Sequence, residues 1–321
     1  MKTYKRALVA AAALAFAASI PAQDKVTLSI ATGPTTGVYY PLGGGIANIL
    51  SKYVPGYAAN AETTAGSVAN LQLMSQKKSD IALSMADAAW DGFKGQGKFT
   101  AGAVPVRTLM IAYPNRMHVV TIDGTGINKM ADLKGKRVST GAPNSATELM
   151  AARVLEAAGL DMEKDIRRER LDPGKSTDAI KDRKLDAYFW VGGIPTAAVT
   201  DLGATPGTKL KLVDHAEVVD GMNKKYGPLY IRDTIPAKAY PGQDQPNQVA
   251  TVQNLIIARA DMSDQVAYNI VKTIFEKRDE LILVHKEATN FDLKLQSNDA
   301  SPIPFHPGAI KYFNEKGIKI K

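Results

Sequence analysis

The sequence predicts a mixed α/β protein made of two lobes of similar plan, and three observations lead to this prediction. The segment 26–53 alternates apolar and polar residues and, after a polar loop, places apolar residues at helical spacing. A second strand, loop and helix of the same kind occupies 136–158. Each unit is followed by a helix end, an aspartate turn (Asp80 and Asp186) and an apolar strand. Two α/β lobes of similar plan explain this repetition.

The first loop, 32–39, leads into a helix that contains three successive glycines at 43–45. Each glycine costs roughly 1 kcal/mol relative to alanine inside a helix, so something must approach this backbone closely, either a packed neighbour or a ligand. Pro41 is compatible only with the start of that helix, where its missing N–H is not needed. Hydroxyls and free amides at a helix N-terminus suit an anion. A plain strand-to-helix connection explains this one loop equally well.

The second lobe offers a similar loop. Ser145 and Glu148 have the spacing of a capping box and predict a helix that ends at Gly159. The loops 32–39 and 140–147 therefore both follow the carboxyl end of a strand, where open α/β sheets bind ligands. An anion held between the two loops would draw the lobes together by hinge closure.

The segments between and after these units complete the prediction. Residues 60–71 indicate a strand, a turn and a helix that begins near Gly66 or Ser67, and Asp87 follows a strand at 81–85. The proline-rich stretch 229–245 indicates a loop-like return connection. Residues 263–285 predict one long amphipathic helix, and 302–321 a loop and a short helix.

Two β-prone stretches predict how the lobes are connected. Residues 106–122 predict one or two strands and 249–260 a long strand, and together they would cross between the lobes as a hinge. Lobe one is then discontinuous in sequence. The predicted division is a signal peptide at 1–23, the first part of lobe one at 24–122, lobe two at 123–248 and the return segment of lobe one at 249–321.

The N-terminus has the pattern of a secretory signal peptide. Lys2, Lys5 and Arg6 precede an apolar run at 7–20, and small residues follow it. The run is short for a bilayer-spanning helix. The chain has no cysteine, which excludes a disulfide framework and a lipidated cysteine after the signal. We therefore expect a free periplasmic protein that is not a lipoprotein, with secretion beyond the cell as the alternative.

Composition and motifs give no support to an enzyme, a metal site or a nucleic-acid interface. The net charge is +8, and the three basic residues of the signal leave +5 on the mature chain, without a basic block interleaved with aromatics. The four histidines are scattered and lack helical zinc-site spacing, and no serine occupies a Gly-x-Ser-x-Gly elbow. Residues 92–99 nearly match a phosphate-binding loop, but Phe99 replaces the residue that would hold magnesium, so we interpret them as a solvated loop. We expect no catalytic residue, metal, cofactor or nucleic-acid partner.

Seven motifs follow one another through the mature chain, at 32–44 (Thr-Gly-x-x-x-Gly-Val-Tyr-Tyr-Pro-Leu-Gly-Gly), 64–71 (Thr-x-Gly-Ser-Val-x-Asn-Leu), 132–139 (Asp-Leu-Lys-Gly-Lys-Arg-Val-Ser), 141–148 (Gly-Ala-Pro-x-Ser-x-Thr-Glu), 191–195 (Val-Gly-Gly-x-Pro), 235–243 (Ile-Pro-x-x-x-Tyr-Pro-Gly-Gln) and 302–308 (Pro-Ile-Pro-x-His-Pro-Gly). With these motifs the chain resembles the TAXI family, solute receptors of the TRAP (tripartite ATP-independent periplasmic) transporters. The resemblance implies a two-lobed type II periplasmic binding-protein fold of the Venus-flytrap kind, with hinge strands between the lobes.

The resemblance also implies a function. The protein would be a monomeric periplasmic receptor that captures a small organic anion, a carboxylate such as glutamate or 2-oxoglutarate, by lobe closure. It would deliver this ligand to a sodium-coupled TRAP permease with a fused transmembrane component. A binding protein for an ABC importer or a sensor kinase is the nearest alternative. A periplasmic enzyme and a structural or surface-antigen protein are more distant ones.

The resemblance implies ten ligand-binding residues: Thr36, Gly37, Tyr39, Ser67 and Asp87 in lobe one, and Asn144, Ser145, Thr147, Trp190 and Gly192 in lobe two. Some of them have a structural alternative. Tyr39 and Trp190 suit core packing, and Ser67 and Ser145 suit plain helix caps. For Asp87 we favour a helix cap or a lysine pair over a ligand contact.

Two positions depart from the family pattern. Pro34 and Asn144 stand where the family usually has glycine. Pro34 removes an amide and stiffens the first loop, and Asn144 adds a side chain at the expected ligand position. Both departures bear on the identity of the ligand rather than on the fold.

Overall fold

The computed structural model describes residues 25–320, and the predicted signal peptide at 1–23 lies outside them. Within that range the strands are β1 (Val26–Ala31), β2 (Tyr57–Glu62), β3 (Ile81–Met85), β4 (Val106–Ile122), β5 (Arg137–Ser139), β6 (Arg167–Glu169), β7 (Ala187–Gly192), β8 (Leu210–Leu212), β9 (Tyr230–Ile235) and β10 (Asn247–Arg259). The α-helices are α1 (Tyr39–Tyr53), α2 (Ser67–Ser75), α3 (Ala86–Lys94), α4 (Ala146–Ala157), α5 (Pro173–Lys181), α6 (Ala197–Ala204), α7 (Val219–Tyr226), α8 (Asp264–Glu276), α9 (Arg278–Val284) and α10 (Pro307–Glu315). For residues 25–320, each of these helices is too short or too polar to cross a bilayer.

The strands join in the order β2-β1-β3-β10-β4-β7-β5-β6, with β8 paired to β4 and β9 to β10. β1 runs parallel to β2 and β3, and β5 runs parallel to β6 and β7. These two parallel groups are the two α/β units that the sequence predicts.

The long strands β4 and β10 connect the two units. β4 pairs with β10 over 106–116 and with β7 over 116–121. β10 pairs with β9 over 247–252 and with β3 over 254–258. The sequence predicted either one or two strands over 106–122, and the structure has one strand there. The predicted pair of long connecting strands is present.

The apolar side chains form two buried clusters. The larger one surrounds β1, β3, β10 and the helices packed on them, and it extends to the face of α4. The smaller one lies between β7 and the helices α5 and α6. Every residue of β3 is buried, as in a strand covered on both faces. Trp190 belongs to the smaller cluster, which is the structural alternative named for it above.

Two of the three helix glycines make room for packed neighbours. A Cβ on Gly43 would lie 2.3 Å from Thr32 Cγ2, and one on Gly45 would lie 3.0 Å from Leu281 Cδ2. Gly44 is exposed, and a Cβ there would meet no atom of the described chain within 4 Å. The close approach expected from these glycines is therefore to packed side chains.

Three predictions are wrong. The helix expected over 263–285 is divided, because Lys277 leaves helical geometry between α8 and α9. The loop expected over 229–245 contains β9, since Pro228 and Pro236 flank that strand without interrupting it, and β9 pairs with β10 alone. Residues 92–99 are not one solvated loop, because the first three end α3 and Phe99 is buried.

Candidate functional site

A cavity lies where the β1–α1 loop, the start of α2, β4, the start of α4 and the end of β7 meet. It is partly open to solvent, and the space between its lining atoms, open mouth included, is about 370 Å³. Its lining residues are Pro34, Gly37, Val38, Tyr39, Ala65, Gly66, Ser67, Met85, Tyr113, Asn115, Ser145, Ala146, Thr147, Trp190, Val191 and Gly192. Seven of the ten residues predicted for the site are among them, from both α/β units.

Three helices begin at this cavity. The first residues of α1, α2 and α4, which are Tyr39, Ser67 and Ala146, all line it. The first N–H groups of a helix have no acceptor within the helix, and the helix dipole places positive potential there. Among the described residues that line the cavity, none carries a charged side chain. The positive potential of the site therefore comes from backbone rather than from lysine or arginine.

Glycines shape the wall formed by Trp190. A Cβ on Gly37 would lie 3.0 Å from Trp190 Cη2, and one on Gly192 would lie 2.4 Å from Trp190 Nε1. Trp190 Nε1 donates to Thr196 Oγ1 at 2.9 Å, which fixes the indole. Side chains at Gly37 and Gly192 would displace this ring.

The hydroxyls at the helix starts already have partners. Ser145 Oγ accepts from Glu148 N at 3.0 Å and donates to the Ala142 carbonyl at 2.7 Å, so it acts as the N-cap of α4. In a capping box the Glu148 carboxylate would accept from Ser145 N. Here Glu148 Oε2 accepts instead from the preceding backbone N–H, Asn144 N, at 3.2 Å. Ser67 Oγ accepts from Met85 N at 3.0 Å. Glu148 N in α4 and Ala69 N in α2 are also used, the latter in donating to the Asn144 carbonyl, so a ligand would meet the N–H groups nearer each helix start.

Thr36 and Asn144 lie outside the lining and join the two units through their backbones. The Thr36 carbonyl accepts from Ala198 N at 3.4 Å, and the Asn144 carbonyl accepts from Ala69 N at 3.0 Å. Asn144 is exposed and has φ +62°, a left-handed conformation that asparagine tolerates better than most residues. The backbone here has the shape that glycine would adopt.

Asp87 is also outside the cavity, in a buried network. Its Oδ2 accepts from Tyr230 Oη at 2.8 Å and lies 3.5 Å from Arg153 Nη1, and its Oδ1 accepts from Ala88 N. Arg153 Nη2 also contacts Asp91 at 2.5 Å. Burial raises the pKa of Asp87 despite the opposing charge of Arg153. The lysine favoured as a partner from the sequence is thus an arginine, and the network joins α3 to α4 and β9.

The sequence prediction missed two polar residues that line the cavity, Tyr113 and Asn115 on β4. Both are 1% exposed, and Tyr113 Oη and Asn115 Oδ1 have no hydrogen-bond partner within residues 25–320. Asn115 Nδ2 donates to Asn254 Oδ1 at 3.0 Å, and that oxygen also accepts from Tyr39 Oη. Burial raises the pKa of Tyr39 and of Tyr113. One feature of the sequence could have identified them: they are polar residues within an otherwise apolar strand, and buried polar groups usually have a hydrogen-bond partner.

Within the described residues, no group of three or more histidine, aspartate or glutamate side chains is placed to hold a metal ion. His118 shows how the histidines are used. It is fully buried, with Nδ1 2.9 Å from the Arg116 carbonyl and Nε2 2.8 Å from Tyr240 Oη. Burial lowers the pKa of His118 to about 4. This histidine is a neutral core residue.

Comparison with known proteins gives one family match and several similar structures. The profile of the NMT1-like family matches residues 30–317. A protein from Bordetella bronchiseptica RB50 has a TM-score of 0.54 and 17% identity, over 91% of this chain and 82% of its own. An ancestral arginine-binding protein bound to arginine has a TM-score of 0.51 and 14% identity, over 84% and 100%. A putative L-cystine ABC transporter protein from Listeria monocytogenes has a TM-score of 0.50 and 17% identity, over 82% and 95%. The shared fold is that of type II periplasmic binding proteins, which confirms the predicted fold class.

Proposed function

Because this chain belongs to the NMT1-like family and has the type II periplasmic binding-protein fold, we propose that it is a periplasmic receptor for a small organic carboxylate. One observation carries the proposal: three helix N-termini meet at a cavity whose lining, within the described chain, includes no charged side chain. Such an arrangement binds an anion through backbone N–H groups and helix dipoles. A charged lining residue is not needed for this chemistry.

The proposed mechanism is capture by closure of two lobes. Lobe one would comprise 24–122 and 249–321, lobe two 123–248, and β4 and β10 would act as the hinge strands. The hydrogen bonds Ala69 N to the Asn144 carbonyl and Ala198 N to the Thr36 carbonyl cross between these lobes and would form on closure. The ligand carboxylate would lie against the first N–H groups of α1, α2 and α4, with the predicted residues Gly37, Tyr39, Ser67, Ser145, Thr147, Trp190 and Gly192 around it.

The proposed ligand class and the proposed transporter partner rest on the seven motifs. They favour the TAXI type of receptor, which would hand a glutamate- or 2-oxoglutarate-like carboxylate to a sodium-coupled TRAP permease with a fused transmembrane component. An ABC importer is the second candidate partner, since the similar Listeria protein is a putative L-cystine ABC transporter protein. A transport assay in cells that carry each kind of permease in turn would separate the two.

The binding proposal is tested by removing one backbone donor. Ala146 is the first residue of α4, a position where proline is well tolerated, and Ser145 before it is extended at φ −86° and ψ 157°. Ala146→Pro therefore removes one N–H with little strain on the helix. Ala197→Pro makes the same change at the first position of α6, whose residue Ala197 lies outside the lining.

A thermal-shift screen of C4–C6 dicarboxylates, 2-oxo acids, 2-hydroxy acids, amino acids and aromatic acids first identifies the ligand, because a ligand selective for the folded state raises the unfolding midpoint. Isothermal titration then measures affinity. We expect Ala146→Pro to weaken binding by about 1.5–3 kcal/mol, the range for a hydrogen bond to a charged group, and Ala197→Pro to change it little. Equal affinities in the two variants would contradict the assigned carboxylate position.

A further inference from the structure

The end of the cavity formed by β4 presents two buried polar atoms without partners. Tyr113 and Asn115 stand two residues apart on β4, so their side chains lie on the same face of the strand. Tyr113 Oη and Asn115 Oδ1 lack a hydrogen-bond partner in the described chain. A buried polar group without a partner destabilises the folded state, because its lost hydration is not replaced. Because both residues line the cavity, a molecule in the cavity can supply the missing partner.

The hydrogen bonds around Asn115 decide which kind of partner is missing. Asn115 donates one of its two Nδ2 hydrogens to Asn254 Oδ1. The Asn254 oxygen accepts from Tyr39 Oη as well, while Asn254 Nδ2 has no hydrogen-bond partner among residues 25–320. In this arrangement the atom of Asn115 without a partner is its acceptor oxygen. Tyr113 offers a hydroxyl, which either donates or accepts.

A carboxyl group near this end of the cavity, that of Glu287, also favours a hydrogen-bond donor on the ligand. Glu287 and Tyr113 both lie beside Gly193, since a Cβ on Gly193 would be 2.7 Å from Glu287 Cγ and 2.9 Å from Tyr113 Cε2. Glu287 Oε1 accepts from Ile194 N at 2.6 Å and lies 4.0 Å from Arg116 Nη1. Burial raises the pKa of Glu287 and the charge of Arg116 opposes this rise; in its ionised form the carboxylate disfavours a second carboxylate of a ligand at this end and favours a donor.

We propose that Asn115 and Tyr113 determine specificity by binding a hydrogen-bond donor on the carboxylate ligand, its hydroxyl or ammonium group. This inference rests on the proposed receptor function, and it assigns a 2-hydroxy or 2-amino monocarboxylate in place of the glutamate- or 2-oxoglutarate-like ligand that the motifs favour. The ligand carboxylate lies against the helix N-termini, and the donor substituent points to β4. The remaining walls, Pro34, Val38, Met85 and Val191, suit a small apolar side chain. A 2-oxo acid of the same skeleton leaves Asn115 Oδ1 unpaired, and a site built to bind a substrate hydroxyl or amine rejects analogues that lack it.

Matched ligands test this directly. Isothermal titration compares 2-hydroxy-3-methylbutanoate, valine and 2-oxo-3-methylbutanoate, which share one carbon skeleton, and then 2-hydroxyglutarate, glutamate and 2-oxoglutarate. We expect the hydroxy or the amino member of the first set to bind at least tenfold more tightly than the oxo member. We also expect the members of the dicarboxylate set to bind more weakly than that ligand.

Variants at β4 identify the responsible atoms. Asn115→Leu removes the acceptor and should abolish the preference for the donor-bearing ligand. Asn115→Asp replaces the amide by a carboxylate and should favour valine if the donor is an ammonium group and leave the hydroxy acid preferred if it is a hydroxyl. Asn128→Leu, a change at an exposed asparagine outside the cavity, is the matched control. Tyr113→Phe deletes a single unpaired hydroxyl, so it keeps the test available if Asn115→Leu does not fold, and it should reduce the preference.

The outcomes distinguish a failure of the specificity assignment from a failure of the receptor function. Equal affinity for the oxo and hydroxy acids, a preference for the oxo acid, or an unchanged preference in both Asn115→Leu and Tyr113→Phe overturns the specificity assignment and leaves the receptor function intact. Failure of every carboxylate to bind overturns the receptor function and this assignment with it.

Discussion

Removing the arginine from the buried network of Asp87, Asp91, Arg153 and Tyr230 should destabilise the protein strongly. Arg153→Met keeps most of the side-chain length and deletes the charge. Arg153 contacts both aspartates and Tyr230 Oη, and the side chains of Arg153, Asp87 and Asp91 are 8%, 0% and 6% exposed. The variant leaves two buried carboxyl groups without their cation.

The magnitude follows from this burial. Removing one partner of a buried ion pair costs about 3–5 kcal/mol, because the remaining charge is left desolvated. The carboxyls can limit this loss by taking up protons, since burial already raises the pKa of Asp87 and of Asp91. A carboxyl with a raised pKa in the folded state stabilises that state below its unfolded pKa, and the contribution is lost as pH rises through the folded pKa. The deficit of the variant should therefore be larger at pH 8 than at pH 5.

Equilibrium unfolding in urea at both pH values measures the free energies of unfolding. The matched control is Arg232→Met, which removes an arginine paired to Asp220 at the surface, where the side chains are 54% and 76% exposed. Such exposed pairs contribute about 0–1 kcal/mol. The combined variant Arg153→Met with Asp87→Asn should recover part of the loss, because the amide carries no charge. Equal losses in Arg153→Met and Arg232→Met would refute the reasoning.

Two further predictions concern the helix glycines and the buried histidine. Gly43→Ala should lower the free energy of unfolding by about 1–3 kcal/mol, because its Cβ would fall 2.3 Å from Thr32 Cγ2. Gly44→Ala should instead raise the free energy of unfolding by up to about 1 kcal/mol. Denaturant unfolding of the two variants measures this, and a loss of stability in both would contradict the role given to Gly43 in packing. The pKa of His118 falls from 6.5 to about 4 on folding, so its contribution to stability is complete above pH 6.5 and is lost as pH falls to about 4. This difference corresponds to about 3 kcal/mol. His118→Gln should flatten the pH dependence of the unfolding free energy over that window, and an unchanged slope would contradict the assignment.

Local patterns in the sequence predicted the repeated α/β units, the two long connecting strands and the start of α4 at Ser145. These features depend on residues within one or two turns of each other, or on alternation within one strand. The period of the apolar residues is therefore enough to identify them.

Contacts between residues far apart in the sequence could not be predicted from these local patterns. Arg153 reaches Asp91 across 62 residues, and Tyr230 reaches Asp87 across 143, so neither pairing leaves a local signal. For the same reason the sequence suggested a lysine, and not Arg153, as the ion-pair partner of Asp87.

The polar residues of β4 show a second limit of sequence patterns. Tyr113 and Asn115 stand in an apolar stretch and read as ordinary strand residues. Their importance depends on the cavity that α1, α2 and α4 close around them, which is a property of the tertiary structure. A polar residue in a buried strand is a reason to look for such a partner.

The most direct test of the receptor function is native mass spectrometry of the purified protein with the panel of carboxylates and amino acids. The proposal predicts a saturable one-to-one complex with one carboxylate class and a weaker complex with Ala146→Pro. No bound species from the panel, together with no small molecule released from the purified protein on denaturation, would contradict it.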